Sequence, residues 1–169
     1  TATPDRSTSP SARESRRDGH PAAAGALHRH CRAQAEPQFN LIGIEVYKPG
    51  LAQLVQRVER EGIDNLRLLR GDAVDVLENM IAPESLTGVR VFFPDPWPKA
   101  RHHKRRLFQP AHVALLASRL RPGGTIRCAT DWAEYAEAMA QSLGADPLLI
   151  PGTGRFPRPV TKFEQRARD

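Results

Sequence analysis

From Phe39 onward, short apolar runs alternate with stretches in which apolar residues recur three and four positions apart. The short runs predict four buried strands, at 39–46, 65–69, 89–93 and 125–129. The longer stretches predict amphipathic helices that begin or end near Pro or Gly, at 49–61, 74–81, 110–120 and 132–143. Strands that alternate with helices are typical of βαβ units, so the pattern predicts an α/β fold built on a parallel sheet.

Residues 1–38 lack this alternation and contain no Phe, Trp or Tyr. A segment with so little apolar surface cannot offset the entropy that it loses on ordering. We expect it to be a disordered or unrelated leader, with a short helix at 22–35, in front of one domain at 39–169. His28, His30 and Cys31 resemble a metal cluster, but they lie in this leader, so we expect no bound metal.

The charge of the chain is basic and locally concentrated. Lys and Arg number 25 against 19 Asp and Glu, a formal net charge of +6, and no acidic residue lies between Asp95 and Asp131. Such a concentration is typical of a surface that binds nucleic-acid phosphates, although a solvated run of charges is the simpler alternative. There is no apolar run of membrane-spanning length and no signal-peptide pattern, so we expect a cytoplasmic protein without a membrane partner.

Carboxylates follow three of the predicted strands. Glu45 lies at the end of the first strand, Asp72 follows the second and Asp95 follows the third. In an open parallel sheet, ligands bind at the carboxyl ends of the strands. Glu45 suits the two hydroxyls of a ribose and Asp72 suits an adenine amino group. A helix cap or a solvated carboxylate is the alternative for each.

The segment that follows the third strand, residues 92–99, contains prolines at 94, 96 and 98. Each proline fixes its own φ, so the sequence predicts a stiff loop that presents Asp95 beside the ring of Trp97. A carboxylate next to an aromatic plane suits a flat polar group such as a nucleobase. The alternative is a proline-rich turn in which Trp97 only anchors the core. Further along, residues 122–124, Pro-Gly-Gly, predict a turn into the fourth strand.

Five motifs together resemble one protein family. They are Phe-Pro-Asp-Pro-Trp-Pro-Lys at 93–99, Arg-His-His-Lys-Arg-Arg at 101–106, and shorter runs at 43–45, 129–132 and 161–166. In this order they are similar to the signature of bacterial tRNA (guanine-N7-)-methyltransferases, over about residues 39–169. The resemblance implies a Rossmann-like fold and an enzyme that uses S-adenosyl-L-methionine to methylate N7 of a guanosine in the tRNA variable loop.

The resemblance also implies roles for individual residues. Glu45, Asp72 and Asp95 match contacts to S-adenosyl-L-methionine, and Asp95 also matches the catalytic residue. Substrate contacts are implied for Lys99, Asp131, Thr161, Lys162, Phe163 and Glu164. RNA contacts are implied for Arg101, His102, His103, Lys104, Arg105 and Arg106. A monomer and a homodimer both remain open.

One motif of the family has no counterpart here. Its glycine-rich first strand and turn should precede Phe39, and residues 1–38 supply neither. We therefore expect a Rossmann-like methyltransferase sheet that is incomplete at its first strand. Two other functions stay open at this point: a catalytically inactive RNA-binding remnant of the family, and a basic sheet protein that binds a different nucleotide.

Overall fold

The computed structural model describes residues 33–152 as strands and helices in alternation. The strands are β1 (Leu41–Glu45), β2 (Leu66–Arg70), β3 (Leu86–Phe92) and β4 (Leu120–Ala129). The helices are α1 (Lys48–Arg60), α2 (Ala73–Asn79), α3 (Pro110–Arg119) and α4 (Ala133–Gly144), with a 3₁₀-helix at Ala100–Arg105. The predicted α/β class is confirmed. Within residues 33–152, no helix has the length and apolar character needed to cross a bilayer.

The strands pair in parallel, two by two. β1 lies beside β2, with Leu41 opposite Leu66 and Glu45 opposite Arg70. β3 lies beside β4, with Phe92 opposite Ala129. Among the described residues these are two separate two-stranded sheets. Each pair is joined through a helix, as a βαβ crossover requires, and the division agrees with the expected incomplete sheet.

The predicted turn at residues 122–124 lies inside β4, so the predicted start of this strand at Thr125 is wrong. Leu86 pairs with Leu120 and Gly88 pairs with Thr125, which leaves extra β4 residues bulged out of the ladder. Gly123 has a φ of +77°, which favours glycine. A Cβ on Gly124 would lie 2.9 Å from the Arg121 carbonyl oxygen. The two glycines therefore allow a bulge instead of a strand boundary.

The core beneath the second pair of strands is aromatic and aliphatic. Phe108, Val113, Tyr135 and Met139 form a buried cluster, against which partly buried residues of β3 and β4 pack. Tyr135 and Met139 are four positions apart, so they lie on one face of α4. Residues 107–108, α3 and α4 are thereby fixed on one strand pair.

Residues 33–39 pack against the strands. The side-chain amide of Asn65 donates to the carbonyl oxygens of Ala33 and Phe39, both at 3.0 Å. Ala33 is buried, and Glu36 forms a 2.8 Å ion pair with Arg90 of β3. This segment therefore contacts β3 and the residue that directly precedes β2. The proposed domain boundary at residue 38 stays a prediction.

Candidate active site

Four carboxylates lie at the carboxyl ends of the four strands. Glu45 is the last residue of β1, and Asp72 comes two residues after β2. Asp95 comes three residues after β3, and Asp131 comes two residues after β4. Because the strands of each pair are parallel, their carboxyl ends share an edge. Glu45 therefore lies on one edge with Asp72, and Asp95 lies on one edge with Asp131.

Glu45 and Asp72 each accept a hydrogen bond from the backbone at the start of the helix that follows. An oxygen of the Glu45 carboxylate accepts a 3.0 Å hydrogen bond from the backbone N–H of Tyr47, the N-cap residue of α1. Asp72 is the N-cap of α2, and its carboxylate accepts a 2.7 Å bond from the backbone N–H of Val74. Asp72 is thus a helix cap, one of the alternatives left open by the sequence, whereas Glu45 bonds the backbone just before α1 and caps no helical N–H.

Two residues with left-handed backbone conformation bound the segment 93–97, called here the Asp95 loop. Phe93 has a φ of +52° and Trp97 a φ of +44°; only one other described residue besides glycine, Glu84, has a positive φ. Each such residue costs about 1–2 kcal/mol of backbone energy. Such strain persists only where the surroundings fix the backbone. One restraint is visible at Phe93, whose N–H donates to the Ala129 carbonyl at 2.7 Å. Asp95, between the two, is exposed.

The 3₁₀-helix places the basic residues at 101–106 on three different faces. A 3₁₀-helix has three residues per turn, so residues three apart share a face. Arg101 and Lys104 share one face and are exposed. His102 and Arg105 share a second face, which meets Trp97: the Arg105 guanidinium carbon lies 5.0 Å from the centroid of the indole ring, and the His102 ring meets it edge-on at 5.9 Å.

The third face points inward and ends in a buried guanidinium. Arg106 directly follows the 3₁₀-helix and is only 3% exposed. It forms a two-pronged ion pair with Glu134 of α4, at 2.9 and 2.6 Å. It also donates to the Pro96 carbonyl at 2.8 Å and lies 3.0 Å from the His103 ring nitrogen Nε2. Its guanidinium carbon sits 4.7 Å from the Tyr135 ring centroid.

The buried position of Arg106 separates it from its neighbours. The sequence groups Arg106 with the RNA-binding stretch, whereas its guanidinium bonds protein groups beneath the surface. His103 shares this inward face. Because a guanidinium only donates hydrogen bonds, His103 Nε2 is the acceptor in this contact. The geometry therefore favours Arg101, Lys104 and Arg105 as RNA contacts and favours a structural role for Arg106.

The Arg106–Glu134 pair is ionised on both sides at neutral pH. The hydrogen bond from Arg106 holds the pKa of the Glu134 carboxyl below its usual value, against a smaller opposing effect of desolvation. The same hydrogen bond raises the pKa of Arg106. Burial raises the pKa of the adjacent Tyr135 hydroxyl, so this ring stays neutral beneath the guanidinium.

Glu134 is a residue that the sequence analysis missed. Read as the first turn of an amphipathic helix, it looks like one more exposed acid. The sequence offered no signal for its role, because the three-residue period that sets Arg106 on the His103 face appears only once the 3₁₀-helix is seen. Four predicted substrate contacts, Thr161, Lys162, Phe163 and Glu164, lie outside the described residues, as do His28, His30 and Cys31. Within residues 33–152, no three His, Cys, Asp or Glu side chains form a metal-binding group.

Comparison with known proteins places this chain in a family. Residues 27–169 match the profile of a protein family described as "Putative methyltransferase". The chain belongs to this family. The match covers both strand pairs and the 3₁₀-helix, and the Rossmann-like α/β fold agrees with it. The family match begins twelve residues before the predicted start of the domain at Phe39.

Relatives with high identity bear a more specific name. Over 150 aligned positions, the chain is 67% identical to a tRNA (guanine-N(7)-)-methyltransferase of Nocardia farcinica, which covers 80% of this chain and 56% of that relative. A protein of the same name from Rhodococcus jostii is 65% identical, over 79% and 54% of the two chains. One from Bordetella pertussis is 55% identical, over 79% and 55%. The chain thus spans about half the length of the curated relatives it matches.

Proposed function

We propose that this chain acts in the methylation of tRNA at N7 of a guanosine in the variable loop, with S-adenosyl-L-methionine as methyl donor. The observation that carries the proposal is the identity of 67% with a relative named for this reaction. The Asp95 loop and the exposed basic residues of the 3₁₀-helix support this proposal, because the loop suits a nucleobase and the basic residues suit phosphates. We propose a cytoplasmic setting and residues 39–169 as the catalytic domain, against which residues 33–38 pack.

The chemistry asks for positioning more than for acid–base catalysis. Guanine N7 is an exposed acceptor that carries no proton. Its lone pair forms the new N–CH₃ bond while the S–CH₃ bond breaks and leaves its electron pair on sulfur. No proton moves, so no general base is needed. The positive charge passes to the purine, where a nearby carboxylate stabilises it.

Asp95 and Asp131 are proposed to orient the guanine. They follow β3 and β4, which are adjacent and parallel. A carboxylate accepts the amino and imino hydrogens of guanine, and its negative charge stabilises the purine as it becomes cationic. Lys99, the exposed N-cap residue of the 3₁₀-helix, lies between the Asp95 loop and that helix. It is proposed to contact the substrate phosphate.

Glu45 and Asp72 fit the cofactor by their chemistry and location. S-adenosyl-L-methionine presents a ribose diol and an adenine amino group, and supplies an electrophilic methyl group on a sulfonium. Both carboxylates lie on the carboxyl-terminal edge of the β1–β2 pair. Their backbone hydrogen bonds hold them in place, and a carboxylate has about four acceptor positions, so one bond does not use up its capacity. We propose that Glu45 accepts from the ribose and Asp72 from the adenine.

The test is methyl transfer to tRNA. The chain is incubated with tRNA and methyl-labelled S-adenosyl-L-methionine, and N7-methylguanosine is measured by mass spectrometry of the nucleosides. Asp95→Asn should lower the rate by about 10²- to 10³-fold, because one charge that stabilises the transition state is lost. The tRNA dissociation constant should be unchanged. Wild-type turnover by Asp95→Asn would refute the role of Asp95.

A catalytically inactive RNA-binding chain is the second candidate. It is favoured by the bonds that Glu45 accepts from the backbone of Tyr47 and Asp72 accepts from the first turn of α2, since these bonds give both carboxylates a partner without a cofactor. Calorimetric titration with S-adenosyl-L-methionine separates the two candidates. A folded chain that binds tRNA but releases no heat with S-adenosyl-L-methionine would support the inactive candidate.

A further inference from the structure

Arg106 joins three parts of the site that are separate in sequence. It bonds Pro96 in the Asp95 loop, His103 in the 3₁₀-helix and Glu134 in α4. A guanidinium has five N–H donors in a planar fork, and four polar contacts of Arg106 lie within 3.0 Å. With the ring of Tyr135 against its face, this side chain has no surface left over for a nucleic acid.

We propose that Arg106 is a positioning residue, held by Glu134, that fixes the Asp95 loop in its active shape and does not contact RNA. The catalytic consequence rests on the proposed methyl transfer. The structural consequence, a loop fixed from α4, does not depend on that reaction.

The point of attachment explains why this contact matters. The carbonyl that accepts from Arg106 belongs to Pro96, which directly follows Asp95. That carbonyl is part of the peptide group that enters Trp97, whose φ of +44° is costly for a residue other than glycine. A strained loop relaxes unless its surroundings hold it. Arg106 supplies a charge-assisted hydrogen bond at this position, and charge-assisted bonds are about twice as strong as neutral ones.

Glu134 supplies the other end of the link. Its carboxylate takes both prongs of the guanidinium, and this geometry fixes the orientation as well as the distance of the fork. Unlike Arg106, the Glu134 side chain is 53% exposed. Glu134 can therefore be replaced without creating a buried cavity, which makes it the safer position from which to release the loop.

The first test follows the loop without using activity. The protein is labelled with 5-fluorotryptophan, and the ¹⁹F resonance of Trp97 is assigned by its loss in Trp97→Phe. Glu134→Gln and Arg106→Lys should shift or broaden this resonance. Glu137→Gln removes the same charge from an exposed position one turn further along α4 and should leave the resonance in place. An equal response to Glu134→Gln and Glu137→Gln would overturn the proposal.

The second test separates positioning from RNA binding. Arg106→Lys keeps the charge but loses the planar fork. It should lower kcat about 10²-fold, as a misplacement of about 1 Å does, with the tRNA dissociation constant unchanged. Arg101→Ala should instead raise that dissociation constant. If Arg106→Lys weakens tRNA binding and leaves kcat at its wild-type value, Arg106 is an RNA contact and the proposal is wrong. If the wild-type chain does not methylate tRNA, the proposed function fails, while the ¹⁹F result still decides the structural link.

Discussion

The exposed face of the 3₁₀-helix predicts a measurable salt dependence of tRNA binding. Arg101 and Lys104 lie one turn apart, about 6 Å along the helix axis at a rise of about 2.0 Å per residue, and both are exposed. If each neutralises one phosphate, each contributes about 0.7–0.9 to the slope of log K against log salt. The double variant Arg101→Ala/Lys104→Ala should therefore reduce the steepness of this slope by about 1.4–1.8.

Over a fourfold change in salt, from about 50 to 200 mM, that difference in slope corresponds to about a tenfold change in the ratio of the two affinities. The affinity of the variant should thus fall about tenfold less than that of the wild type over this range. Fluorescence anisotropy with labelled tRNA measures both affinities at each salt concentration. The double variant should lose the most affinity at the lowest salt.

A matched control removes two cations elsewhere. Arg57 and Arg60 also lie one turn apart, in the last turn of α1, where both form ion pairs with Glu61. Because α1 starts at the carboxyl-terminal end of β1 and runs back to the start of β2, this turn lies at the opposite end of the strands from the candidate site. Arg57→Ala/Arg60→Ala should leave the slope nearly unchanged. An equal loss of slope in the two double variants would show that binding follows total charge, and would refute a local RNA-binding turn.

Three further predictions concern stability. Gly123→Ala should lower the free energy of unfolding, measured in urea, by about 1–2 kcal/mol, because its φ of +77° is unfavourable for alanine. Gly144→Ala, at the end of α4, should raise the free energy of unfolding by about 0.5–1 kcal/mol. At both positions no atom lies within 4 Å of an added Cβ, so the two substitutions differ in backbone conformation and not in crowding. Since the folded-state pKa of Glu134 is lowered, the stability that its ionised form contributes is present above its ordinary pKa of 4.5 and is lost as pH falls through the lower folded value. In urea titrations at decreasing pH, the wild type should therefore lose more stability than Glu134→Gln. Equal acid sensitivity of the two proteins would contradict the ion pair. Phe108→Ala should cost about 3–5 kcal/mol because this ring is 3% exposed; Leu148→Ala, at 71% exposure, should stay within about 0.5 kcal/mol, and similar losses for both would argue against the described core.

The order of elements could be predicted from sequence because each element has a clear apolar period and a Pro or Gly near an end. Helix α1 was expected from residue 49 to the stop at Gly62 and spans Lys48–Arg60. The start of β4 was missed for a physical reason: a Pro-Gly-Gly sequence predicts a turn, but opposite a paired strand it forms a bulge that keeps the ladder going on both sides. Local sequence cannot distinguish the two, because the difference depends on the partner strand.

The candidate site was predictable in part. That Glu45, Asp72 and Asp95 would follow strands could be inferred from the strand ends alone, and all three lie there; Asp131, implied only by the family resemblance, follows β4. A helix cap was one of the alternatives that the sequence offered and is found at Asp72, but the bond of Glu45 to the Tyr47 backbone could not be inferred, because it depends on how the chain turns there. The inward turn of Arg106 was also hidden, since a charged run in sequence shows neither its helix type nor its buried partner.

The basic residues between Asp95 and Asp131 differ in how much of their charge is available to an RNA. Eight cations lie in the acid-free stretch between Asp95 and Asp131, yet they are not equivalent. Arg106 is buried against Glu134, and Arg119 donates at 2.8 Å to the Leu77 carbonyl, which ties α3 to α2. Cations used in this way stabilise the fold and contribute little to a surface that attracts phosphates. Of the eight, Lys99 and the exposed 3₁₀ residues Arg101, Lys104 and Arg105 lie next to the Asp95 loop, whereas Arg121 is exposed near the start of β4, away from it. A local patch of this kind aligns one segment of the RNA with the loop, whereas charge spread evenly over the protein would attract RNA without orienting it.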